Sequence, residues 1–193
     1  MIDRDKFFEA VRQSPFGGNL TQRQVDGLNF LLDVWERHFM DSDIRWLAYS
    51  LATAFHETAA TMEPIPEYGE GGGQPYGAPA GPYGQCYYGR GYVQLTWEDN
   101  YIKGEKILAD KYSIDCPMHR YPHRMLEHEV AALILYDGSI DGWFTGVGLP
   151  QYFSATVEDP YNARRVINGT DKADLIAGYY ENFKMALTTT ART

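Results

Sequence analysis

The segment AFHETAATMEPIPEYGEGGG, residues 54–73, changes from helix-forming sequence into a glycine-rich loop. It carries four carboxylates, which are Glu57, Glu63, Glu67 and Glu70. A solvated, turn-rich surface would account for them, and so would two acids that face each other across a groove. The fold and the chemistry of the chain depend on which of these two interpretations applies.

The composition is that of an ordinary globular chain. The 193 residues are 44% hydrophobic and 22% charged, which suits one domain with a substantial core. No segment approaches the roughly 18 uninterrupted apolar residues that a membrane span needs, so we expect no membrane insertion. The N-terminal segment MIDRDKFFEAVRQ lacks the basic start and apolar run of a signal peptide. We therefore expect synthesis in the cytoplasm.

Charge and aromatic content favour some partners over others. A formal net charge of −9 argues against nucleic-acid binding, which needs a basic surface. The 15 tyrosines and four tryptophans are typical of sugar-binding grooves, although such rings also build cores. Cys86 and Cys116 are either free thiols or one bridge. A zinc site with His119 and His123 is a third alternative, but the spacing matches no common zinc pattern, so we expect no metal and no cofactor.

Helical patterns dominate the chain. Thr21 and Gln24 fit a capping box, and apolar residues spaced by three and four predict a helix over residues 22–38. A second helix begins after Ser42 or Asp43 and ends near Thr58. Further helices are predicted at about 5–13, 96–111, 124–136, 159–166 and 171–187. Five prolines and nine glycines in residues 64–91 predict a loop or small hairpin there. The fold class is thus mostly α, with a minor loop or β lobe at residues 64–95.

One face of the second helix is polar without being charged. It carries Ser50 and Thr53 and ends near Glu57, so we interpret this face as the floor of a groove. Glycosidases need two carboxyl groups around one bond, one protonated and one ionised. Glu57 suits the acid because desolvation at the end of an apolar helix would raise its pKa. Glu67, on the polar loop, suits the base, and Glu63 and Glu70 remain alternatives.

Three segments resemble a known family. His56-Glu57-Thr58, YYGRGYVQLTWEDNY at residues 87–101 and INGTDKADLIAGYY at 167–180 are similar to the family 19 glycoside hydrolases, a chitinase group with a lysozyme-like α-helical fold. Two more segments, FGGNLTQRQVDGLNFLLDVWE near the start and LYDGSIDGWFTG at 135–146, are most similar to small phage and prophage endolysins. The resemblance implies one lysozyme-like catalytic domain over residues 1–193.

The resemblance also implies roles for individual residues. Glu57 becomes the general acid, Glu67 the second carboxylate, and the hydroxyl of Thr96 holds the attacking water. Candidate substrate contacts are His56, Tyr88, Arg90, Gln94, Asn100 and Asn168. Several have structural alternatives: Thr96 as a helix cap, Gln94 and Asn100 as partners of loop backbone, His56 and Tyr88 as packed side chains, and Arg90 as a loop anchor.

One position departs from the family pattern. The plant enzymes carry an arginine just before the final Gly-Tyr-Tyr, in a charge network with the carboxylates. This chain has Ile176 there, when aligned on Gly178-Tyr179-Tyr180. The network around the second carboxylate is therefore expected to differ.

These observations predict a monomeric, cell-wall-lytic enzyme of the endolysin or muramidase type. It would cleave β-1,4 bonds between N-acetylated sugars of peptidoglycan with inversion, after release from the cytoplasm of a bacterial host. A chitinase is the first alternative. The others are a lytic transglycosylase, in which no water attacks, and a wall-binding module without catalysis.

Overall fold

The computed structural model describes residues 1–190, and residues 191–193 of the predicted domain lie outside that range. The α-helices of the described part are α1 (Arg4–Gln13), α2 (Gln22–His38), α3 (Ile44–Glu57), α4 (Glu98–Tyr112), α5 (His128–Asp141) and α6 (Ala173–Thr190). Short 3₁₀ helices lie at Pro75–Gly77, Pro122–Leu126, Leu149–Gln151 and Asn162–Val166. A mostly α fold is confirmed, whereas one domain over residues 1–193 stays a prediction.

Helix α3 lies at the centre of the hydrophobic core, where it packs against α6 and α5. Its apolar residues Leu47 and Leu51 are fully buried, as the pattern predicts. Ser50 and Thr53 are each only 1% exposed as well. The prediction that they form a groove floor is therefore wrong. Small side chains on this face are enclosed by neighbouring helices instead of lining a cleft.

The start of α2 follows directly from local sequence. The hydroxyl of Thr21 accepts from the backbone N–H of Gln24 at 3.3 Å, and the Gln24 side-chain oxygen accepts from the N–H of Thr21 at 2.9 Å. These two bonds form the predicted capping box, which satisfies N–H groups that a helix start leaves without partners. The predicted bounds, 22 to 38, are confirmed.

Helix α5 extends beyond its predicted end at residue 136, passes through Gly138 and stops at Asp141, where Gly142 takes a φ of +73°. Gly138 has a packing role instead. A Cβ built on it would lie 2.3 Å from Cζ of Phe144, so only glycine leaves room for that ring. A glycine inside a helix looks like a terminator in sequence, and here it marks a close contact.

The lobe between α3 and α4 contains a short antiparallel pair of strands, β1 (Ile65–Pro66) and β2 (Arg90–Gly91). Ile65 lies opposite Gly91 and Pro66 opposite Arg90. The chain enters β1 a few residues after the end of α3, and a long turn leads to β2, which ends a few residues before α4. This connection brings Glu67 back toward Glu57.

The described residues also distinguish between the alternatives for the cysteines. Cys86 and Cys116 are free thiols, so the bridge alternative is wrong. Burial raises the pKa of the Cys116 thiol to about 11, which keeps it protonated and unreactive. Within residues 1–190, no group of three or more His, Cys, Asp or Glu side chains is placed to hold a metal. No helix in this range has the length and apolarity to cross a bilayer.

Candidate active site

Two adjoining cavities, of about 400 Å³ and 350 Å³, form a cleft between the helices and the lobe. Glu57, Gln94 and Thr96 line both cavities. The first cavity is lined in addition by the predicted contacts Asn100 and Asn168. The second also includes Glu67, Tyr76 and Gly89. The cleft therefore joins the two predicted catalytic carboxylates and Thr96 in one continuous space.

Glu57 is the last residue of α3 and has a buried cation as its partner. Its Oε1 accepts from Nη1 of Arg164 at 2.8 Å, and the two side chains are only 17% and 4% exposed, respectively. Nε of Arg164 donates to the backbone oxygen of Asp171 at 3.0 Å, which fixes the guanidinium. This pair orients the Glu57 carboxyl group at the cleft.

Arg164 is a site residue that the sequence analysis missed. It lies in the 3₁₀ helix Asn162–Val166, just before the Ile-Asn-Gly segment. Ile176, at the position where the plant enzymes have arginine, is fully buried in the core. An arginine from another element therefore meets the first carboxylate. The signal available in the sequence was a charged residue near the apolar residues Ala163 and Val166. The structure shows that both apolar residues are buried as well.

Glu67 is held by neutral partners. Its Oε1 accepts from the hydroxyl of Tyr76 at 3.1 Å, and its Oε2 accepts from the backbone N–H of Gly89 at 3.1 Å. Desolvation is the main cause that raises the pKa of Tyr76, and the hydrogen bond to Glu67 is the second cause. The hydroxyl of Tyr76 therefore remains a donor. Tyr76 is a second residue that the sequence analysis missed.

Gly89 permits this arrangement because it has no side chain. A Cβ there would lie 2.9 Å from Oε1 of Gln94 and 3.3 Å from Oε2 of Glu67. The backbone N–H of Glu67 donates to the oxygen of Gly89 at 2.7 Å, which closes the link between the two segments. The second carboxylate is therefore positioned by the backbone of the Gly-Arg-Gly segment.

The two alternative loop acids lie elsewhere. Oε2 of Glu63 is 3.5 Å from Nε2 of His128 and 3.9 Å from Nε of Arg23, and Glu63 lines neither cavity of the cleft. Glu70 is exposed in a turn, with a φ of +50°, and is also absent from the lining. Of the three loop acids considered, Glu67 is the one that shares a cavity with Glu57.

Thr96 does not cap α4. Trp97 occupies the N-cap position, with no side-chain capping bond, and α4 begins at Glu98. The cap interpretation of Thr96 is therefore wrong. Its hydroxyl makes no hydrogen bond with the described residues, and Thr96 lines both cavities, so the hydroxyl is available to a water or a substrate.

Gln94 and Asn100 combine a cleft position with backbone contacts. Nε2 of Gln94 donates to the oxygens of Ile65 and Gly91, each at 3.0 Å. Nδ2 of Asn100 donates to the oxygen of Thr96 at 2.9 Å. Their amide nitrogens thus hold the cleft wall together, and their amide oxygens are the groups left to meet a substrate.

Three predicted substrate contacts lie outside the cleft lining. Arg90 is 6% exposed, and its Nη1 donates to the oxygens of Cys86 and Tyr88 and to the hydroxyl of Tyr101. Its guanidinium carbon lies 3.5 Å from the centre of the Tyr88 ring. Arg90 therefore has a structural role, which corrects its expected substrate contact, whereas the expected contact of Tyr88 stays a prediction. His56 is half-buried beside Glu57, and burial lowers its pKa. It lines neither cavity, and its substrate contact stays a prediction.

Comparison with known proteins gives structural matches alone. No protein-family model matches the chain, and no curated protein is significantly similar to it. Chitinase C from Streptomyces griseus HUT6037 matches with 21% identity and a TM-score of 0.56, over 100% of this chain and 79% of that one. A mutant of chitinase C matches with 18% identity and a TM-score of 0.53, over the same shares.

A bacterial family 19 chitinase, described as different from the plant enzymes, is also similar in structure. Its identity is 21% and its TM-score 0.54, over 96% of this chain and 94% of that one. These matches span nearly the whole chain. The protein therefore has the lysozyme-like fold of the family 19 chitinases, which confirms the predicted fold.

Proposed function

We propose that this protein is a peptidoglycan-degrading glycoside hydrolase of the endolysin or muramidase type. The observation that carries the proposal is the cavity shared by Glu57, Glu67 and Thr96, with one acid on a helix end and the other on the opposite lobe. The fold of the family 19 chitinases supports glycosidase chemistry at this place. The bond cleaved is the β-1,4 bond between N-acetylated sugars.

The two carboxyl groups differ in the way that an inverting reaction requires. Glu57 donates a proton to the leaving oxygen, and Glu67 accepts a proton from the attacking water. The partner-free hydroxyl of Thr96 holds that water on the Glu67 side of the sugar. Inversion requires about 6.5–9.5 Å between the carboxyl groups, so that a water fits between them. No cofactor takes part in this scheme.

The chitinase alternative is favoured by the three structural matches described above, which are chitinases. Peptidoglycan is preferred because the segments at residues 16–36 and 135–146 resemble phage endolysins. The expected floor of small side chains at Ser50 and Thr53 does not support this preference, since both are buried. Under the proposal the protein is a monomer, is made in the cytoplasm of a bacterial host and acts on the wall after release.

Mass spectrometry of the products tests the proposal. Purified peptidoglycan and chitin oligomers are digested in parallel, with Glu57→Gln as the inactive control. We expect reducing N-acetylmuramic ends and slow chitin cleavage. Products with 1,6-anhydro ends would indicate a transglycosylase, and faster chitin turnover would indicate a chitinase. Wall binding without any cleavage would leave a non-catalytic binding module.

A further inference from the structure

A third cavity, of about 210 Å³, lies beside the cleft. Trp97 lines both this cavity and the first cleft cavity, and Tyr76 lines both this cavity and the second. The two rings meet edge to face, with their centres 5.5 Å apart and their planes at 77°. They form the partition between the cleft and the side cavity. A branch on a polymer bound in the cleft reaches the side cavity by passing over this pair of rings.

The side cavity is acidic and aromatic. Its lining includes the carboxylates of Glu98 and Asp99 and the rings of Tyr76, Tyr87 and Trp97, but no lysine or arginine. Oε1 of Glu98 lies 2.6 Å from Nε2 of His119, which holds the carboxylate in place. Asp99 is exposed, and it has no ion-pair or hydrogen-bond partner among residues 1–190. One carboxylate is therefore fixed and the other is free to meet a ligand.

This combination selects a ligand by charge. Aromatic faces attract cations, and the attraction increases when the cation is shielded from water. Carboxylates repel anionic groups and attract ammonium groups. The volume is below the roughly 300–1,000 Å³ of sites that enclose a whole small molecule, so the cavity suits a group of side-chain size. Trp97 is 50% exposed, which leaves a large ring surface for such a group to cover.

We propose that the side cavity binds an organic ammonium group on the substrate, namely a free amine of the peptide stem that branches from alternate sugars of peptidoglycan. The inference rests on the proposed function, because chitin has no peptide stem. It assigns substrate selection to Trp97 and Asp99, apart from the reacting groups. A stem amine in this cavity would hold the sugar chain in one register along the cleft.

Binding is tested directly by NMR of the indole N–H of Trp97, assigned with Trp97→Phe. The probe is Nα-acetyl-lysine amide, and the matched probe is the same compound with its ε-amine acetylated. We expect a saturable shift with the free amine alone. Asp99→Asn should weaken binding about fivefold, whereas Asp41→Asn, which removes an exposed and partner-free carboxylate elsewhere, should not. Equal shifts with both probes, or none, would overturn the inference. A response to glucosamine alone would overturn the stem as the source of the amine.

Kinetics provide the second arm. Acetylating the stem amines of purified peptidoglycan should raise KM about fivefold for the wild-type protein and for Asp41→Asn. Asp99→Asn should show the same KM for both substrates. Equal KM values in the wild type would reject the ammonium site and leave the proposed function standing. Conversely, an NMR response without cleavage of peptidoglycan would support the ammonium site and reject the proposed function.

Discussion

The two walls of the cleft hold their carboxylates by different means. Glu57 ends a helix enclosed by the core and pairs with an arginine 107 residues away in sequence. Glu67 lies on the loop lobe and uses a tyrosine hydroxyl nine residues away and a backbone N–H 22 residues away. The helix wall therefore depends on tertiary packing and charge. The lobe wall depends on short-range chain geometry and neutral hydrogen bonds.

The largest effect is expected at the helix wall. Glu57→Gln keeps the shape of the side chain but cannot deliver a proton, so the turnover rate should fall about a thousandfold or more. Saccharide binding and the circular dichroism spectrum should be nearly unchanged. A variant that retains most of its lytic rate would remove Glu57 from the mechanism.

The second-largest loss of turnover rate is expected from a change in the lobe wall. Glu67→Gln leaves the attacking water without a base, and we expect a rate loss of about a hundredfold or more. Glu63→Gln and Glu70→Gln are the matched controls, because they remove the same charge from neighbouring positions outside the cleft. If Glu70→Gln is as impaired as Glu67→Gln, the second carboxylate is misassigned.

The partners of the two acids allow the charged and neutral supports to be compared. Arg164→Gln breaks a nearly buried ion pair, so we expect a decrease of about 2 kcal/mol in unfolding free energy and a rate loss of about thirtyfold. Tyr76→Phe removes one neutral hydrogen bond and should lower the rate about threefold, with little change in stability. Chemical denaturation and lysis assays on both variants provide the comparison. Equal losses would contradict the contrast between the walls.

Thr96→Val affects neither acid directly and should have an intermediate rate effect, with the smallest change in stability. The hydroxyl caps no helix, so the unfolding free energy should stay within about 0.5 kcal/mol of the wild-type value. Loss of the contact to the attacking water should lower the turnover rate about tenfold. Thermal denaturation and initial rates are measured on the same preparation. Destabilisation at the normal rate would give Thr96 a structural role only.

Local sequence patterns predict the structure correctly where hydrogen bonds between nearby residues determine it. The capping box of Thr21 and Gln24 positioned α2 to the residue, since both bonds join groups three residues apart. The groove floor at Ser50 and Thr53 was wrong because the pattern within one helix does not show which helices enclose it. The cap interpretation of Thr96 is wrong because Trp97 takes the N-cap position with a φ of +70°, a backbone conformation that the sequence pattern does not indicate.

The carboxylates themselves were predicted from the resemblance, together with their helix-end and loop positions. Their partners were not. Arg164 reaches Glu57 across more than half of the chain, and no periodicity reports such a pairing. Tyr76 is one of 15 tyrosines, most of which suit a core equally well. Contacts between residues far apart in the sequence can be identified only when the folded structure is known.

The close contact at Gly138 couples the interior of α5 to the width of the cleft. Phe144 lines the first cavity, and the outer edge of its ring lies where a side chain at position 138 would be. A methyl group added there would displace the ring, and with it a part of the cavity lining, without changing either acid. The width of the cleft can therefore be changed by a substitution at Gly138, a residue that does not line the cleft.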